Sequence, residues 1–179
     1  MAIEKYAALF RGINVGGRNT LPMKELVGIL ERAGARDVRT YIQSGNAVFR
    51  LDPDRAADLD REVGDAILAG RGFRPKILLR PISQLSRAAE DAPFVAAEGK
   101  ALHFFFLAST PESPDLRALE ELKSKTEEFA LGTGVFYLHA PEGIGRSRLA
   151  ERVERALGVP ATARNWNTVR KILALAEQL

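Results

Sequence analysis

Strand and helix patterns follow the same order twice along the chain. In each half, a short apolar run typical of a buried strand is followed by an amphipathic stretch, two strand-like runs around a turn, a second amphipathic stretch and a last strand. This order, β-α-β-β-α-β, is that of the split βαβ or ferredoxin-like unit. The repeat is one of element order and not of residue identity. The sequence therefore predicts an α+β protein made of two tandem ferredoxin-like βαββαβ repeats plus a C-terminal helix.

The first repeat is predicted to occupy residues 1–81. Pro22 suits the first turn of a helix and Gly34 follows its end, while Asp52 is placed to cap a second helix. Gly45 lies at a turn between two strand-like runs, which therefore form a hairpin. The predicted elements are a strand over residues 6–13, a helix over 22–33, strands over 38–42 and 47–51, a helix from 53 to about 70 and a strand over 76–80.

The second repeat is predicted to occupy residues 101–179, after a linker over residues 82–100 that contains a short helix at 83–90. Ser113 and Pro114 are expected to cap its first helix, and Asn167 or Thr168 its last one, with Trp166 packed just before that last helix. The predicted elements are strands over 102–107, 128–131, 135–139 and 161–164, a helix carrying Leu116, Leu119 and Leu122, a helix over 147–157, and an additional final helix over about 168–178.

The residue types that are missing exclude several classes of chemistry. The 179 residues contain no cysteine, which excludes disulfides and thiolate sites, and only two histidines, which excludes a multi-histidine metal cage. We expect no metal and no cofactor. No apolar run approaches the roughly 18–20 residues that a membrane span needs, and the first residues do not resemble a signal peptide. The chain is therefore expected to be cytoplasmic, with no membrane partner.

The charges are distributed unevenly along the chain. Residues 1–50 carry eight Lys/Arg against four Asp/Glu, residues 51–140 carry eleven against fifteen, and residues 141–179 carry seven against four. Basic ends of this kind can attract anions, although a mixed solvated surface is the alternative. The adjacent acids Glu120-Glu121 and Glu127-Glu128 are interpreted as solvated faces.

A glycine-rich segment, Arg11-Gly-Ile-Asn-Val-Gly-Gly-Arg-Asn19, joins the first strand to the first helix. Gly16 and Gly17 allow positive φ, and backbone N–H groups ahead of a helix can hold an oxyanion. Arg11 and Arg18 can add charge-assisted hydrogen bonds. The segment is neither a P-loop nor the triple-glycine dinucleotide fingerprint. It is a candidate anion site, and the alternative is a tight turn with exposed arginines.

The predicted hairpin tip, Tyr41-Ile-Gln-Ser-Gly-Asn46, is a second polar segment. Gln43, Ser44 and Asn46 offer donors and acceptors without charge. The alternative is ordinary hairpin chemistry, in which the same side chains bond to the turn itself.

A third segment, Pro141-Glu-Gly-Ile-Gly-Arg-Ser147, leads into a predicted helix. Gly143, Gly145 and Ser147 at a helix N-terminus suit an anion. The alternative is a flexible loop that Ser147 caps. His139 ends the strand before this segment and is therefore the better acid/base candidate of the two histidines, whereas His103 is interpreted as a buried, hydrogen-bonded residue.

The fourth segment is Arg164-Asn-Trp-Asn-Thr168. If Asn167 or Thr168 caps the last helix, Arg164 and Asn165 have no assigned structural role. Trp166 can stack on a nucleic-acid base, although the only tryptophan of a small protein is more often part of the core.

Taken together, these segments closely resemble the signatures of a bacterial family, domain of unknown function 1697. The resemblance lies in residues 8–19, 40–46, 137–147 and 164–168, in this order, and it spans almost the whole chain. It implies a pair of ferredoxin-like α+β units. It carries no activity, substrate or catalytic residue over to this chain.

Three functions are compatible with the four segments. The first is binding of a phosphorylated ligand, either a nucleotide-like small molecule or a nucleic-acid backbone. The second is a small-molecule enzyme that uses His139 with Arg11 and Arg164, although no triad, metal set or cofactor motif is present. The third is a structural or partner-binding protein. The predicted ligand-binding residues are Arg11, Asn14, Gly16, Gly17, Arg18, Asn19, Gln43, Ser44, Asn46, His139, Gly143, Gly145, Ser147, Arg164, Asn165 and Asn167.

Strand directions determine which of these segments lie together. If the first strand runs up, residues 11–19 and 43–46 lie at the upper end of the first repeat. By the same convention, residues 139–147 and 164–168 lie at the lower end of the second. We predict that the repeats pack with these ends facing, so that all four segments line one cleft. The alternative is that the segments form an interface between the repeats and leave no cavity.

Overall fold

A computed structural model of the protein describes residues 3–43, 45–95 and 99–179. These residues form two four-stranded antiparallel sheets, and they group by their internal contacts into two compact units. The first unit extends to Ser86 and also includes Lys171–Leu179, and the second unit is Arg87–Arg170. The α+β fold with two tandem ferredoxin-like units is thus confirmed.

The elements follow the predicted order. Within the described residues they are β1 (Glu4–Arg11), α1 (Met23–Arg32), β2 (Arg36–Tyr41), β3 (Asn46–Leu51), α2 (Pro53–Arg71), β4 (Lys76–Pro81), α3 (Ile82–Glu90), β5 (Leu102–Leu107), α4 (Leu116–Leu122), β6 (Glu128–Leu131), β7 (Val135–His139), α5 (Val153–Leu157), β8 (Ala161–Asn165) and α6 (Trp166–Glu177), with 3-10 turns at Ile144–Arg146 and Ala150–Arg152 before α5.

The first sheet has the strand order β2-β3-β1-β4, in which β1 pairs with β3 on one side and with β4 on the other. Side chains alternate along a strand, and this alternation sends Ala8 and Phe10 into a core with Phe49, Leu30 and Ile67. The opposite face of β1 carries Lys5, Ala7, Leu9 and Arg11. Two amphipathic helices therefore cover one face of the sheet, as the apolar periodicity predicted.

The second sheet has the strand order β6-β7-β5-β8 and the same antiparallel pairing. Phe105 and Phe136 lie in a core with Leu138, Leu149 and Val153. The other face of β5 is also buried and aromatic. There Phe104 contacts Tyr137 edge-on at 5.3 Å and stacks on Trp166 at 5.6 Å between ring centroids.

Two predicted helix caps are wrong. The cap of α4 is Asp115, whose carboxylate accepts from Ala118 N at 3.0 Å, because the acid lies one residue nearer the helix than the predicted Ser113-Pro114 pair. The cap of α6 is Asn165, whose Oδ1 accepts from Thr168 N at 3.0 Å. Trp166 is consequently the first residue of that helix and not a residue before it. The predicted Asp52 cap of α2 is confirmed, since its side chain accepts from Asp54 N at 3.1 Å.

The helix predicted over residues 147–157 is also different from the observed structure. The Ser147 hydroxyl accepts from Ala150 N at 2.9 Å, and Arg152 N bonds to Leu149 O at 2.9 Å. These bonds span three residues, so the segment starts as a 3-10 turn and only Val153–Leu157 is α-helical.

The last turns of α6 belong to the first unit. Lys5 Nζ donates to Ala176 O at 2.8 Å, and Arg39 Nη1 donates to Gln178 Oε1 at 3.2 Å. Cations beside the carbonyl end of a helix are favourable because of the helix dipole. Both residues lie on the face of the first sheet that is opposite its core.

The predicted domain boundaries at residues 81 and 101 stay a prediction. The internal contacts divide the chain after Ser86 and assign the last nine residues to the first unit. The predicted linker does contain a helix, α3, while its residues 96–98 lie outside the described part of the chain. Within the described residues, every helix is too short or too polar to span a membrane.

Candidate functional site

The glycine-rich segment between β1 and α1 forms a small hairpin of its own, and we call residues 11–20 the glycine loop. Arg18 N donates to Val15 O at 3.1 Å, and these two residues form an antiparallel bridge. Gly16 and Gly17 lie between them with φ of 60° and 72°. Positive φ at both central residues defines a type I′ turn, which glycine adopts without steric cost. The loop therefore projects as a tight turn, and α1 starts only at Met23.

Asn14 joins the glycine loop to the hairpin between β2 and β3. Its Nδ2 donates to Gln43 O at 2.7 Å and to Leu21 O at 2.8 Å, while its Oδ1 accepts from Leu21 N at 2.7 Å. Asn19 Nδ2 donates to Gly12 O at 2.9 Å within the loop. Both asparagines have positive φ, 53° in each case. Their side chains thus hold the loop in shape, and the first two polar segments lie at the same end of the first unit, as strand direction predicted.

The described residues at the tip of the β2–β3 hairpin differ in packing, since Gly45 lies close to Phe10 while Ile42 and Gln43 are exposed. Phe10 N donates to Gly45 O at 2.9 Å. The side chain of Asn46 is buried and donates to Tyr41 O at 3.1 Å, which is ordinary hairpin chemistry. Gln43 is exposed, whereas Ser44 lies outside the described residues. Gln43 is therefore the predicted polar residue that the described part of this tip leaves accessible.

This end of the first unit is basic. Arg11 and Lys76 stand directly opposite each other where β1 ends and β4 begins, and Arg18 is exposed on the glycine loop. Residues 11–22 and 41–46 contain no Asp or Glu. The geometry therefore combines a rigid, protruding turn with a local excess of positive charge.

In the second unit, the side chains of Arg164 and Asn165 in the fourth polar segment bond to nearby backbone groups. Arg164 stands opposite Phe104 across the β5–β8 pair, and its Nη1 donates to Ala163 O at 2.8 Å. Burial lowers the pKa of Arg164 to about 10. Asn165 caps α6. Asn167 is exposed, and its backbone N–H donates to Gly99 O at 3.4 Å.

The third polar segment is a loop stabilised by local bonds. Gly143 has φ of 95°, and its N–H donates to Ala140 O at 3.0 Å. The side chain of Ser147 is used in the turn before α5, while Gly145 is exposed. The ends of β7 and β8 lie on either side of the start of β5, where Leu102 is the register partner of His139 and His103 that of Asn165. The third and fourth segments are thus at one end of the second unit, as predicted.

The two histidines differ in their surroundings. The ring of His139 is half-buried and stacks on Phe94 at 6.1 Å between centroids. His103 is only 7% exposed, and burial lowers its pKa although a hydrogen bond with the Lys100 backbone opposes this. Among the described residues, its Nε2 has no hydrogen-bond partner. The prediction of a buried His103 is confirmed, and its ring is hydrogen-bonded on the side that meets the Lys100 backbone.

The assignment of these residues to ligand binding stays a prediction, as does a cleft lined by all four segments. The side chains of Asn14, Asn19, Asn46, Ser147 and Asn165 have local structural bonds, which sequence patterns do not reveal. Within the part of the chain that the structure describes, no group of three His, Cys, Asp or Glu residues could hold a metal ion.

Comparisons with known proteins agree with the fold. The model of the family described as "Protein of unknown function (DUF1697)" matches residues 3–137. The solved structure of the conserved bacterial protein SP0830 from Streptococcus pneumoniae is similar to this chain, with a TM-score of 0.69 and 28% sequence identity over 98% of this chain and 99% of that one. A search of the curated proteins found no match.

Proposed function

The chain belongs to the DUF1697 family of proteins of unknown function, and we propose that its first unit binds a phosphorylated ligand. The proposed site lies at the end of the first sheet that carries the glycine loop, the β2–β3 hairpin tip and the start of β4. Arg11, Arg18 and Lys76 supply positive charge, and Gln43 supplies an uncharged amide.

The observation that carries this proposal is the placement of Arg11 directly opposite Lys76. The two cations lie at one end of the sheet, and a phosphate bound beside them accepts charge-assisted hydrogen bonds from both. Arg18 adds a third cation on the adjacent loop, with no carboxylate in residues 11–22 to compete with a ligand.

The rigidity of the loops supports the same proposal. The three hydrogen bonds of the Asn14 side chain fix the glycine loop against the hairpin tip before any ligand arrives. A preorganised site loses less conformational entropy on binding than a flexible one does. A Cβ built at Gly16 or Gly17 would meet nothing within 4 Å, so a ligand can approach the backbone of the turn.

The charge balance of the two units favours the first as the anion-binding one. The first unit contains fifteen Lys/Arg and eleven Asp/Glu, whereas the second contains eleven and twelve. Phosphate can come from a nucleotide-like molecule or from a nucleic-acid backbone, and both sources share the chemistry that Arg11, Arg18 and Lys76 recognise.

Titrations with tripolyphosphate, ATP and a short single-stranded oligonucleotide test the proposal. We expect at least one of them to raise the melting temperature, because a ligand that binds only the native state stabilises it. Lys76→Gln and Arg18→Gln should each weaken binding by about tenfold. Lys125→Gln, which removes an exposed charge from the second unit, is the matched control.

The dependence on salt separates the two ligand sources. Binding of a nucleic-acid backbone should weaken by orders of magnitude as salt rises from about 50 to about 200 mM, because several counterions are released. Binding of one nucleotide should change less. If no probe binds at low salt, or if Lys76→Gln and Arg18→Gln bind as tightly as Lys125→Gln does, the proposal is wrong. The enzyme alternative with His139, Arg11 and Arg164 would need turnover of a bound probe.

A further inference from the structure

Glu127, in the second unit, is a buried carboxylate that makes no ion pair with a described residue. Its side chain is only 6% exposed, and its Oε2 accepts from Ser124 N at 2.8 Å. Within the residues that the structure describes, Glu127 makes no ion pair. Buried carboxylates are normally paired, because removing an unpaired charge from water is costly. The prediction that Glu127 belongs to a solvated acidic face is therefore wrong.

Glu127 lines a cavity, and one oxygen of its carboxylate is accessible. Among the buried side-chain nitrogen and oxygen atoms of the described residues, only His103 Nε2 lacks a partner, so the second Glu127 oxygen is not sealed inside the protein. Glu127 lines a cavity of about 100 Å³, together with Ser124, Glu142 and Gly143. A water molecule occupies roughly 30 Å³ in the liquid, so the cavity has room for a ligand of only a few heavy atoms.

The same cavity is lined by Arg146 and Arg148. Both are exposed, and neither side chain makes an ion pair or hydrogen bond with a described residue. The lining of the cavity therefore carries charges of both signs, the carboxylates of Glu127 and Glu142 and the guanidinium groups of Arg146 and Arg148. A simple anion such as phosphate would be repelled by Glu127 and Glu142, and a simple cation by the two arginines.

We propose that this cavity binds a small zwitterion, a free α-amino acid of the size of glycine or alanine. Its ammonium group donates to the Glu127 carboxylate, and its carboxylate accepts from Arg146 and Arg148. Each ligand charge then meets the opposite charge in a site partly shielded from water, where charge-assisted hydrogen bonds are stronger than at an exposed surface. This site is separate from the phosphate site, since it lies wholly in the second unit and selects a different ligand.

Titration of the ¹⁵N-labelled full chain with glycine, followed by NMR, tests this site. The probes are glycine, methylammonium and acetate at constant ionic strength, because the last two each carry half of the proposed ligand. We expect glycine to shift the amide signals of Ser124 and Gly143 and to bind about tenfold more tightly than either half-ligand.

The decisive variant is Glu127→Gln. Glutamine keeps an oxygen that can accept from Ser124 N, so the loop bond survives while the charge is lost. Glycine affinity should fall by about tenfold, whereas Glu128→Gln, the exposed neighbour, should bind as the natural chain does.

Three results would overturn the proposal. The first is that glycine leaves the Ser124 and Gly143 signals unmoved at tens of millimolar. The second is that methylammonium binds as tightly as glycine does. The third is that Arg146→Ala and Arg148→Ala both bind glycine as tightly as the natural chain does, because neither arginine then holds the ligand carboxylate.

Discussion

The two units share one topology but use their polar segments in different ways. In the first unit, Asn14 bonds two loops together, and this leaves Arg18 and Gln43 exposed at the sheet end. In the second unit, Asn165 caps a helix and Arg164 is packed beside Phe104. A polar segment at a strand end is therefore not equivalent to an exposed site. What separates the two cases is whether a side chain has local backbone groups within reach.

The largest expected effect compares the glycines of the two hairpins. A Cβ at Gly45 would lie 2.6 Å from Phe10 Cβ, and its φ is 94°. Gly45→Ala should therefore lower the free energy of unfolding by about 4 kcal/mol, through overpacking and backbone strain together. Gly134→Ala, in the β6–β7 hairpin, should cost only about 1 kcal/mol, because its Cβ would meet nothing within 4 Å. Urea denaturation measures both, and equal losses would remove this difference between the units.

The second comparison concerns the two structural asparagines. Asn14→Ala removes three hydrogen bonds and leaves backbone groups of Leu21 and Gln43 without them, so we expect a loss of about 3 kcal/mol. Asn165→Ala removes one helix cap and should cost about 1 kcal/mol. Urea denaturation measures both losses. If Asn14→Ala lowered the free energy of unfolding by less than about 1 kcal/mol, the two loops would not depend on the hydrogen bonds of Asn14.

The third comparison concerns one arginine from each unit. Arg164→Ala should lower the free energy of unfolding by about 2 kcal/mol, because a largely buried side chain loses its packing as well as its charge. Arg18→Ala should stay within about 0.5 kcal/mol, as exposed positions do. Thermal and chemical unfolding should agree on this order. If Arg18→Ala were the more destabilising change, the loop would owe its shape to Arg18 and would be a poor candidate for ligand binding.

The smallest expected effect is a pH dependence of the free energy of unfolding. It concerns the second unit, because the first unit contains no histidine. Burial lowers the pKa of His103 in the folded chain, so the unfolded chain binds the proton more tightly. Stability is then complete above the unfolded pKa of about 6.5 and decreases as pH falls below it. The slope cannot exceed about 1.4 kcal/mol per pH unit, the limit for one proton. His103→Gln should flatten the stability curve between about pH 5 and 7, and an unchanged slope would assign the effect to other groups.

Much of the fold follows from sequence pattern. The bounds of β5, β6 and β7 are the predicted ones, since each is a short apolar or alternating run beside a glycine turn or a loop. The direction of the strands also predicted which polar segments share an end. Side-chain partners could not be predicted in the same way, because a pattern does not say which backbone group an asparagine will reach. Asn14, Asn165 and the caps of α4 and α6 are examples.

Strand alternation distinguishes Glu127 from its neighbour Glu128. Phe129 packs against the second core, and residues two apart in an extended chain point to the same face. Glu127 precedes Phe129 by two positions, so alternation places it inward and Glu128 outward. The prediction of one solvated face for both acids is therefore right for Glu128 and wrong for Glu127.

The contacts of Lys5 and Arg39 with the last turns of α6 have a consequence for folding. The first unit is built from two stretches of chain that are separated by the whole second unit. Such contacts have a high sequence separation, which slows folding because a long loop must close first. During synthesis the first sheet emerges before the residues that complete it. Until Arg87–Arg170 has been made, the face of the sheet that carries Lys5 and Arg39 lacks these contacts, and this is the stage at which the growing chain is most exposed to misassociation.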